Sequence, residues 1–362
     1  MLKKFFLISL ISYSSSVIAQ EAIPLPPMPD LKQQESIDKI KSVQPEIKEE
    51  LPVKPQQKKE NKALKKIPIK IGLSKTEDEI YLSLASTICI FINEKEDTAC
   101  RIKQFNDPIE AMNGMLSGDV DIVMTNSLLG KYTSDGNLPF DKNMQVKKVR
   151  FIASFFDEKL AILANREADV RNLDDLKKIS VNIGKNFTKQ RMFFNELIRL
   201  KQWNISDFSK SAELDNSEEV KAICDKSIDG LIIVGEDMNR YMKDATRLCE
   251  VESINLTSDE LNLFNNDPGF LQAKISGGTY VGMPKDINTV ATKAILLTTS
   301  DISSSQIENL LNIIKNNLQK VKLLHNSLKD LTLKSMVWEG NIAPQHDGVV
   351  NFIDKNNLKE GN

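Results

Sequence analysis

The sequence predicts an α/β fold in which two similar lobes are joined by crossing strands and enclose a ligand cleft. Three observations support this prediction. A β-α-β-α-β series opens at about residue 67, a second series of strands and helices starts at about residue 173, and a β-prone run at 290–299 returns the chain towards the first lobe. About 296 residues follow residue 66, which is long for one core and comfortable for two lobes.

The first series is predicted from periodicity and from helix signals. Strands show alternation of apolar and polar side chains, and helices show an apolar stripe at helical spacing. Asp107 and Pro108 indicate the cap and the first position of a helix that closes at Gly118. The predicted elements are strands at 67–73, 100–105 and 120–124 and helices at 79–93 and 108–117.

The remaining elements, which include the second series, are predicted in the same way, from apolar runs and amphipathic stretches. We assign the first lobe to residues 67–156 and 292–362 and the second lobe to residues 157–291. The predicted strands are at 150–155, 160–164, 179–183, 228–234 and 290–299, and the predicted helices are at 173–177, 188–200, 217–224, 236–247 and 304–324.

The N-terminal region predicts export. A basic start, a short apolar run and a small-residue exit at Ala19 are the signature of a secretory signal peptide, residues 1–19, cleaved after Ala19. A membrane anchor is the alternative, but the run is shorter than the roughly 20 residues of a span and contains several serines. We therefore expect the mature chain in the periplasm, secreted across the inner membrane. Residues 20–66 are rich in Pro, Lys and Glu and lack glycine, which predicts a disordered tether.

Four cysteines in an exported chain indicate disulfide bonds. The sequence allows three pairings. We expect Cys89–Cys100 and Cys224–Cys249, because each pair is close in sequence and the compartment is oxidising. A zinc site is the alternative, but the chain has two histidines and no C-x-x-C motif. We therefore expect no metal and no cofactor.

The residue content argues against catalysis. The sequence has no nucleophile elbow, phosphate-binding loop, dinucleotide fingerprint or H-E-x-x-H motif. The sequence has two histidines, His325 and His346, so it offers few candidate residues for a Ser-His-Asp or Cys-His arrangement. The net charge is −2, and no basic stripe interleaved with aromatic residues indicates nucleic-acid binding. We therefore expect a binding protein and not an enzyme.

Polar loops at the ends of predicted strands are the candidate binding sites. In open α/β sheets ligands lie beyond the carboxyl ends of the strands, and helix starts offer free backbone N–H groups to anions. The loop at 184–191 gathers two lysines, an arginine, a hydroxyl and amides at one helix start, which suits a carboxylate or phosphate. An ordinary polar N-cap turn is the alternative. The candidate ligand-binding residues in these loops are Ser74, Lys75, Asn106, Asn126, Ser127, Lys185, Asn186, Thr188, Lys189, Gln190 and Arg191.

Residues 67–358 resemble the TAXI-type solute receptors of TRAP transporters. The resemblance rests on an ordered set of short motifs, at Leu116 to Asp121, Val181 to Gly184, Ile275 to Tyr280 and Ala343 to Gly348. It implies a type II periplasmic-binding-protein fold, a small carboxylate ligand such as glutamate or a dicarboxylate, and a TRAP-type membrane permease as partner.

The departures from the family pattern lie mostly in the pocket. The family's Gly-Gly-x-Tyr turn after the first strand is replaced by Lys75 to Ile80 before Tyr81, and its Gly-His-Pro motif is replaced by Gly235, Glu236 and Asp237. These positions add Tyr81 and Glu236 to the candidate ligand-binding residues. The lost glycines remove close approach of the backbone to a ligand.

The expected function is a monomeric periplasmic receptor that closes two lobes on a small carboxylate and delivers it to a TRAP-type permease. Arg191 would then pair with the ligand, because a guanidinium can grip a carboxylate bidentately. The competing possibility is that Arg191 forms only a surface salt bridge with Glu196 or another nearby acid. The alternative function is a degenerate receptor-like adaptor or envelope interaction protein without a transported ligand.

Overall fold

The computed structural model describes residues 67–94, 98–136 and 145–360, all within one compact unit. The predicted signal peptide at 1–19 and the predicted tether at 20–66 lie outside the described residues. Within the described ranges, no helix is both long and apolar enough to cross a bilayer.

The strands of the described chain join one mixed sheet. They are β1 Ile67–Ser74, β2 Thr98–Phe105, β3 Ile122–Asn126, β4 Val149–Asn165, β5 Ser180–Asn182, β6 Lys210–Ala212, β7 Gly230–Gly235, β8 Val251–Ser253, β9 Leu271–Ile275 and β10 Ile287–Thr299. Their order is β2-β1-β3-β10-β4-β7-β5-β6, with β8 paired to β4 and β9 paired to β10. β1 is parallel to β2 and β3, and β5 is parallel to β6 and β7.

Helices cover the sheet and connect its strands. They are α1 Glu79–Asn93, α2 Pro108–Leu116, α3 Ser127–Asp135, α4 Lys189–Lys201, α5 Asn216–Cys224, α6 Arg240–Leu248, α7 Ser258–Asn262, α8 Ser304–Asn316, α9 Leu318–Lys322, α10 Leu333–Trp338 and α11 Asp347–Asn356. The predicted cap of α2 is confirmed, since the Asp107 side chain accepts a hydrogen bond from the Glu110 N–H at 2.8 Å.

Two long strands cross between the two parallel groups. β10 pairs with β9 over its first residues and with β3 over its last, and β4 pairs with β10 and then with β7. Both strands are buried along most of their length, as their nearly continuous apolar runs require. The predicted fold class is therefore confirmed: two α/β lobes, one around β1–β3 and one around β5–β7, are joined by crossing strands.

The apolar core has three parts. One cluster lies in the first lobe around Leu84 of α1, and another lies in the second lobe around Met242 of α6. The third contains residues from both lobes, including Leu128 of α3 and Phe193 of α4. Buried apolar packing therefore runs from one lobe into the other.

Three predicted elements need correction. The two strands predicted at 150–155 and 160–164 are one strand, β4, because polar residues between them still pair with β10 and β7. The helix predicted from residue 236 begins at Arg240, since Asn239 caps it by accepting from the Tyr241 and Met242 N–H groups. The helix predicted at 304–324 is interrupted at Asn317, which leaves the helical conformation.

Both expected disulfide pairings are confirmed. Cys89–Cys100 links α1 to β2 with a Cα–Cα distance of 5.0 Å. Cys224–Cys249 links the ends of α5 and α6 with a Cα–Cα distance of 4.7 Å. Each bond therefore ties a helix to its immediate structural neighbour.

Candidate functional site

A cavity of about 520 Å³ opens beyond the carboxyl ends of β1 and β7. This is the position at which open α/β sheets bind ligands. The segment after β1 and the start of α1 form one wall, and the turn from β7 into α6 forms another. The lining residues are Lys75, Thr76, Glu77, Asp78, Glu79, Ile80, Ser83, Asn216, Glu236, Met238, Asn239, Arg240, Tyr241, Leu324 and His325.

Short-range hydrogen bonds fix both walls. Ser74 Oγ, at the end of β1, accepts from the Thr76 N–H at 3.0 Å and bonds its hydroxyl at 2.7 Å. On the other wall, Asn239 packs so closely on Gly235 that a Cβ at Gly235 would lie 2.6 Å from the Asn239 side-chain nitrogen. A larger residue at position 235 would therefore displace the Asn239 side chain, which caps α6.

The cavity carries more acids than bases. Its acidic lining residues are Glu77, Asp78, Glu79 and Glu236, and its basic ones are Lys75 and Arg240. Lys75 Nζ donates to the Asn106 side chain at 3.2 Å, and Arg240 donates to the Tyr241 hydroxyl at 2.5 Å. Neither cation forms an ion pair with a described residue, so both charges are available at the cavity wall.

Glu236 is the partly buried acid of the cavity that has no salt-bridge partner among the described residues. Its neighbour Asp237 pairs with Lys159 at 2.7 Å, whereas no cation of the described residues lies within salt-bridge distance of Glu236. Burial, reinforced by the charge of Asp78, raises the pKa of Glu236 to about 7. A cationic group that entered the cavity beside Glu236 would reverse this shift.

Next to the cavity, the Lys189 ammonium lies among three carboxylates. It bonds Glu158 at 2.6 Å, pairs with Asp78 and lies 3.6 Å from Glu77. It also lies 5.3 Å from the centre of the buried Tyr81 ring. Lys189 begins α4 of the second lobe, whereas Glu77, Asp78 and Tyr81 belong to the first lobe, so the cluster joins the two.

The charges in this cluster shift the pKa values of its members. Burial alone would lower the pKa of Lys189, but the charges of Asp78, Glu158 and Glu77 outweigh it and hold that pKa well above its ordinary value. Burial raises the pKa of Glu77 to about 8, against the opposing effect of Lys189. Lys189 is therefore held as a charged ammonium.

Several predicted ligand residues serve the fold in this structure. Asn126 caps α3 by accepting from the Leu129 N–H at 2.8 Å. The buried Ser127 hydroxyl donates to the Gly269 carbonyl at 2.7 Å and accepts from the Lys293 N–H at 2.9 Å. These contacts tie α3 to the second lobe, and none of these side chains lines the 520 Å³ cavity.

The side chains of the predicted loop at 184–191 make contacts in several different places. Thr188 caps α4, and Gln190 donates to Asn216 at 2.5 Å. Lys185 pairs with Asp215 at 2.9 Å on the surface. Of this loop, only Lys189 reaches the acids at the cavity wall.

Arg191 is not brought to the cavity. Its guanidinium pairs with Glu213, and with Asn186 it lines a separate, smaller cavity of about 180 Å³. The salt bridge to a nearby acid is the competing arrangement that the sequence left open, with Glu213 in place of Glu196. Lys75 and Glu236 are thus the predicted residues that line the 520 Å³ cavity.

Sequence reasoning missed most of the acids. Glu77, Asp78 and Glu79 directly follow a predicted strand, and this acidic run was an available signal. Glu158 lies in the middle of β4, where no local pattern marks it. Within the described ranges, no group of His, Cys, Asp and Glu residues has the arrangement of a metal site.

The two lobes, the crossing strands and the cleft at the strand ends are the fold of periplasmic binding proteins. The chain belongs to the NMT1-like family, whose model matches residues 76–354. The search of curated proteins gave no match. The resemblance is thereby supported at the level of the binding-protein fold. The narrower assignment to TAXI-type receptors has no such support.

Solved structures share this fold at low sequence identity. The periplasmic aliphatic sulphonate binding protein SsuA from Escherichia coli is 11% identical, with a TM-score of 0.46, over 74% of this chain and 80% of that one. The substrate binding protein of an amino acid ABC transporter is 15% identical, with a TM-score of 0.43, over 73% and 100%. XAC2383 from Xanthomonas citri, bound to ATP, is 10% identical, with a TM-score of 0.49, over 80% and 94%.

Proposed function

We propose that the protein is a periplasmic solute-binding receptor whose cleft takes a small solute carrying both an amine and a carboxylate. The observation that carries this proposal is the unpaired Glu236 carboxyl in a cavity that also presents the unpaired cations Lys75 and Arg240. A volume of about 520 Å³ has room for an amino-acid-sized molecule.

Opposite charges on the two walls suit a zwitterion. An amine beside Glu236 would regain the counter-charge that this carboxyl lacks, and a carboxylate near Lys75 or Arg240 would form charge-assisted hydrogen bonds. A dicarboxylate offers no positive group to the four acids of the cavity. The resemblance implies either a glutamate-like ligand or a dicarboxylate. Of these two, the glutamate-like solute fits the charges of the cavity better.

The resemblance to TAXI-type receptors supports a TRAP-type permease as the partner, and we include this partner in the proposal. The receptor would act as a monomer in the periplasm, close its lobes on the solute by a hinge motion at the crossing strands β4 and β10, and release it at the membrane.

Calorimetry with matched ligands tests the proposal. We expect amino acids such as glutamate to bind wild-type protein and their des-amino partners, such as glutarate, to bind at least tenfold more weakly. Glu236→Gln should weaken amino-acid binding by tens-fold, because the amine loses its charged partner. Glu250→Gln, at a glutamate whose side chain is 85% exposed, is the control and should bind as wild type does.

The adaptor function is the second candidate, and two observations favour it. The Lys189 ammonium already occupies part of the acidic wall, and buried apolar packing is continuous between the lobes. Both features suit lobes that stay together without a solute. If no amino acid or carboxylate of the panel binds, the receptor proposal fails and the adaptor is the better account.

A further inference from the structure

Three acids surround the Lys189 ammonium. It donates hydrogen bonds to Asp78 and Glu158, and Glu77 adds an ion-pair contact at 3.6 Å. The side chains of Glu77 and Glu158 are 4% and 0% exposed, so these acids have little access to water. Removing the ammonium would leave these buried acids without a counter-charge.

The partners come from three separate parts of the chain. Asp78 is the cap residue of α1, Glu158 lies in the crossing strand β4, and Lys189 is the first residue of α4. The Tyr81 ring closes the site from α1, with its face towards the ammonium at 5.3 Å. The contact therefore joins the first lobe, the second lobe and the crossing strand at one point.

We propose that Glu77, Asp78 and Glu158, with the Tyr81 ring, are a binding site for a primary alkylammonium group, and that Lys189 is its tethered occupant. The lysine side chain thus acts as a built-in ligand that links the second lobe to the first lobe and to the crossing strand. This inference stands on the contacts of Lys189 and does not require that a solute bind at Glu236.

Chemical rescue tests the site directly. Lys189→Ala removes the equivalent of n-propylammonium and should lower the melting temperature, because the buried acids lose their partner. Added n-propylammonium chloride should then refill the site. At about ten times its dissociation constant, we expect it to raise the melting temperature of Lys189→Ala by roughly 2 °C.

Matched controls separate the site from general salt effects. n-Propanol has the shape without the charge, and tetramethylammonium has the charge without N–H donors, so neither should rescue Lys189→Ala. Lys185→Ala, which removes an exposed lysine of the same loop, should gain nothing from n-propylammonium. The proposal would be overturned if n-propylammonium stabilised wild type, Lys185→Ala and Lys189→Ala equally. It would also be overturned if n-propylammonium did not stabilise Lys189→Ala.

Wild-type protein gives a second test that holds even if Lys189→Ala does not fold. Under reductive methylation of the full mature chain, Lys189 should remain unmodified while Lys185 reacts, since their side chains are 13% and 51% exposed. Mass spectrometry of the peptides reads both sites in one sample. Methylation of Lys189 as fast as that of Lys185 would show that the site is not held closed.

Discussion

Glu219 offers a sharp test of the second lobe through the pH dependence of stability. It lies in α5 and is fully buried, and one of its carboxyl oxygens accepts from the Asn182 side chain at 3.0 Å. The other oxygen has no hydrogen-bond partner among the described residues. Burial therefore raises the pKa of Glu219 to about 8, and the bond from Asn182 only partly opposes this shift.

The perturbation is Glu219→Gln, which keeps the shape and removes the titration. A carboxyl whose pKa is raised by folding contributes stability that is present below its ordinary pKa, near 4.5, and is lost as the pH rises through about 8. At about 1.4 kcal/mol per pH unit, wild type should lose roughly 3 kcal/mol relative to Glu219→Gln between pH 5 and pH 8.

Urea unfolding of both proteins at pH 5, 6.5 and 8 measures this difference. The other titrating groups are shared, so they cancel when the two proteins are compared at each pH. Glu250→Gln is the matched control at an exposed glutamate and should follow wild type at every pH. Parallel stability curves for wild type and Glu219→Gln would refute the reasoning, because the buried carboxyl would then not titrate between these pH values.

Three further predictions concern the disulfide, the contact between lobes and the cavity. Replacing both Cys224 and Cys249 by serine removes a disulfide bond between residues that are 25 apart in sequence. The free energy of unfolding, measured with urea, should fall by about 3 kcal/mol. Ser127→Ala removes two buried hydrogen bonds and should cost about 2 kcal/mol by the same assay. At pH 7, solute binding should release about half a proton from Glu236, seen by calorimetry in buffers of different ionisation enthalpy and absent in Glu236→Gln.

The fold was largely predictable because its signals are local. The apolar stripe of α1, the cap and proline that begin α2, and the alternation of β1 each depend on neighbouring residues, and the structure confirms them. The corrections fall where tertiary contacts decide. β4 continues through its polar residues because β10 and β7 pair with it there, and no pattern within β4 itself shows this.

The site was less predictable because its partners are far apart in sequence. Lys189 was a candidate as part of an anion-binding helix start, yet its acidic partners Asp78 and Glu158 are 111 and 31 residues away. A single sequence does not reveal such pairings. Glu236 was found only through the resemblance, whereas Asn126 and Ser127 are polar at a strand end and are used for capping and for joining the lobes.

Native mass spectrometry tests the central claim most directly. Wild-type protein would be mixed with equal amounts of several amino acids and their des-amino carboxylates, and the retained adduct would be identified by its mass. We predict one retained solute per chain, with the mass of an amino acid, and no such adduct on Glu236→Gln. Retention of a des-amino carboxylate, retention of the amino acid by Glu236→Gln, or no adduct on wild type would contradict the claim.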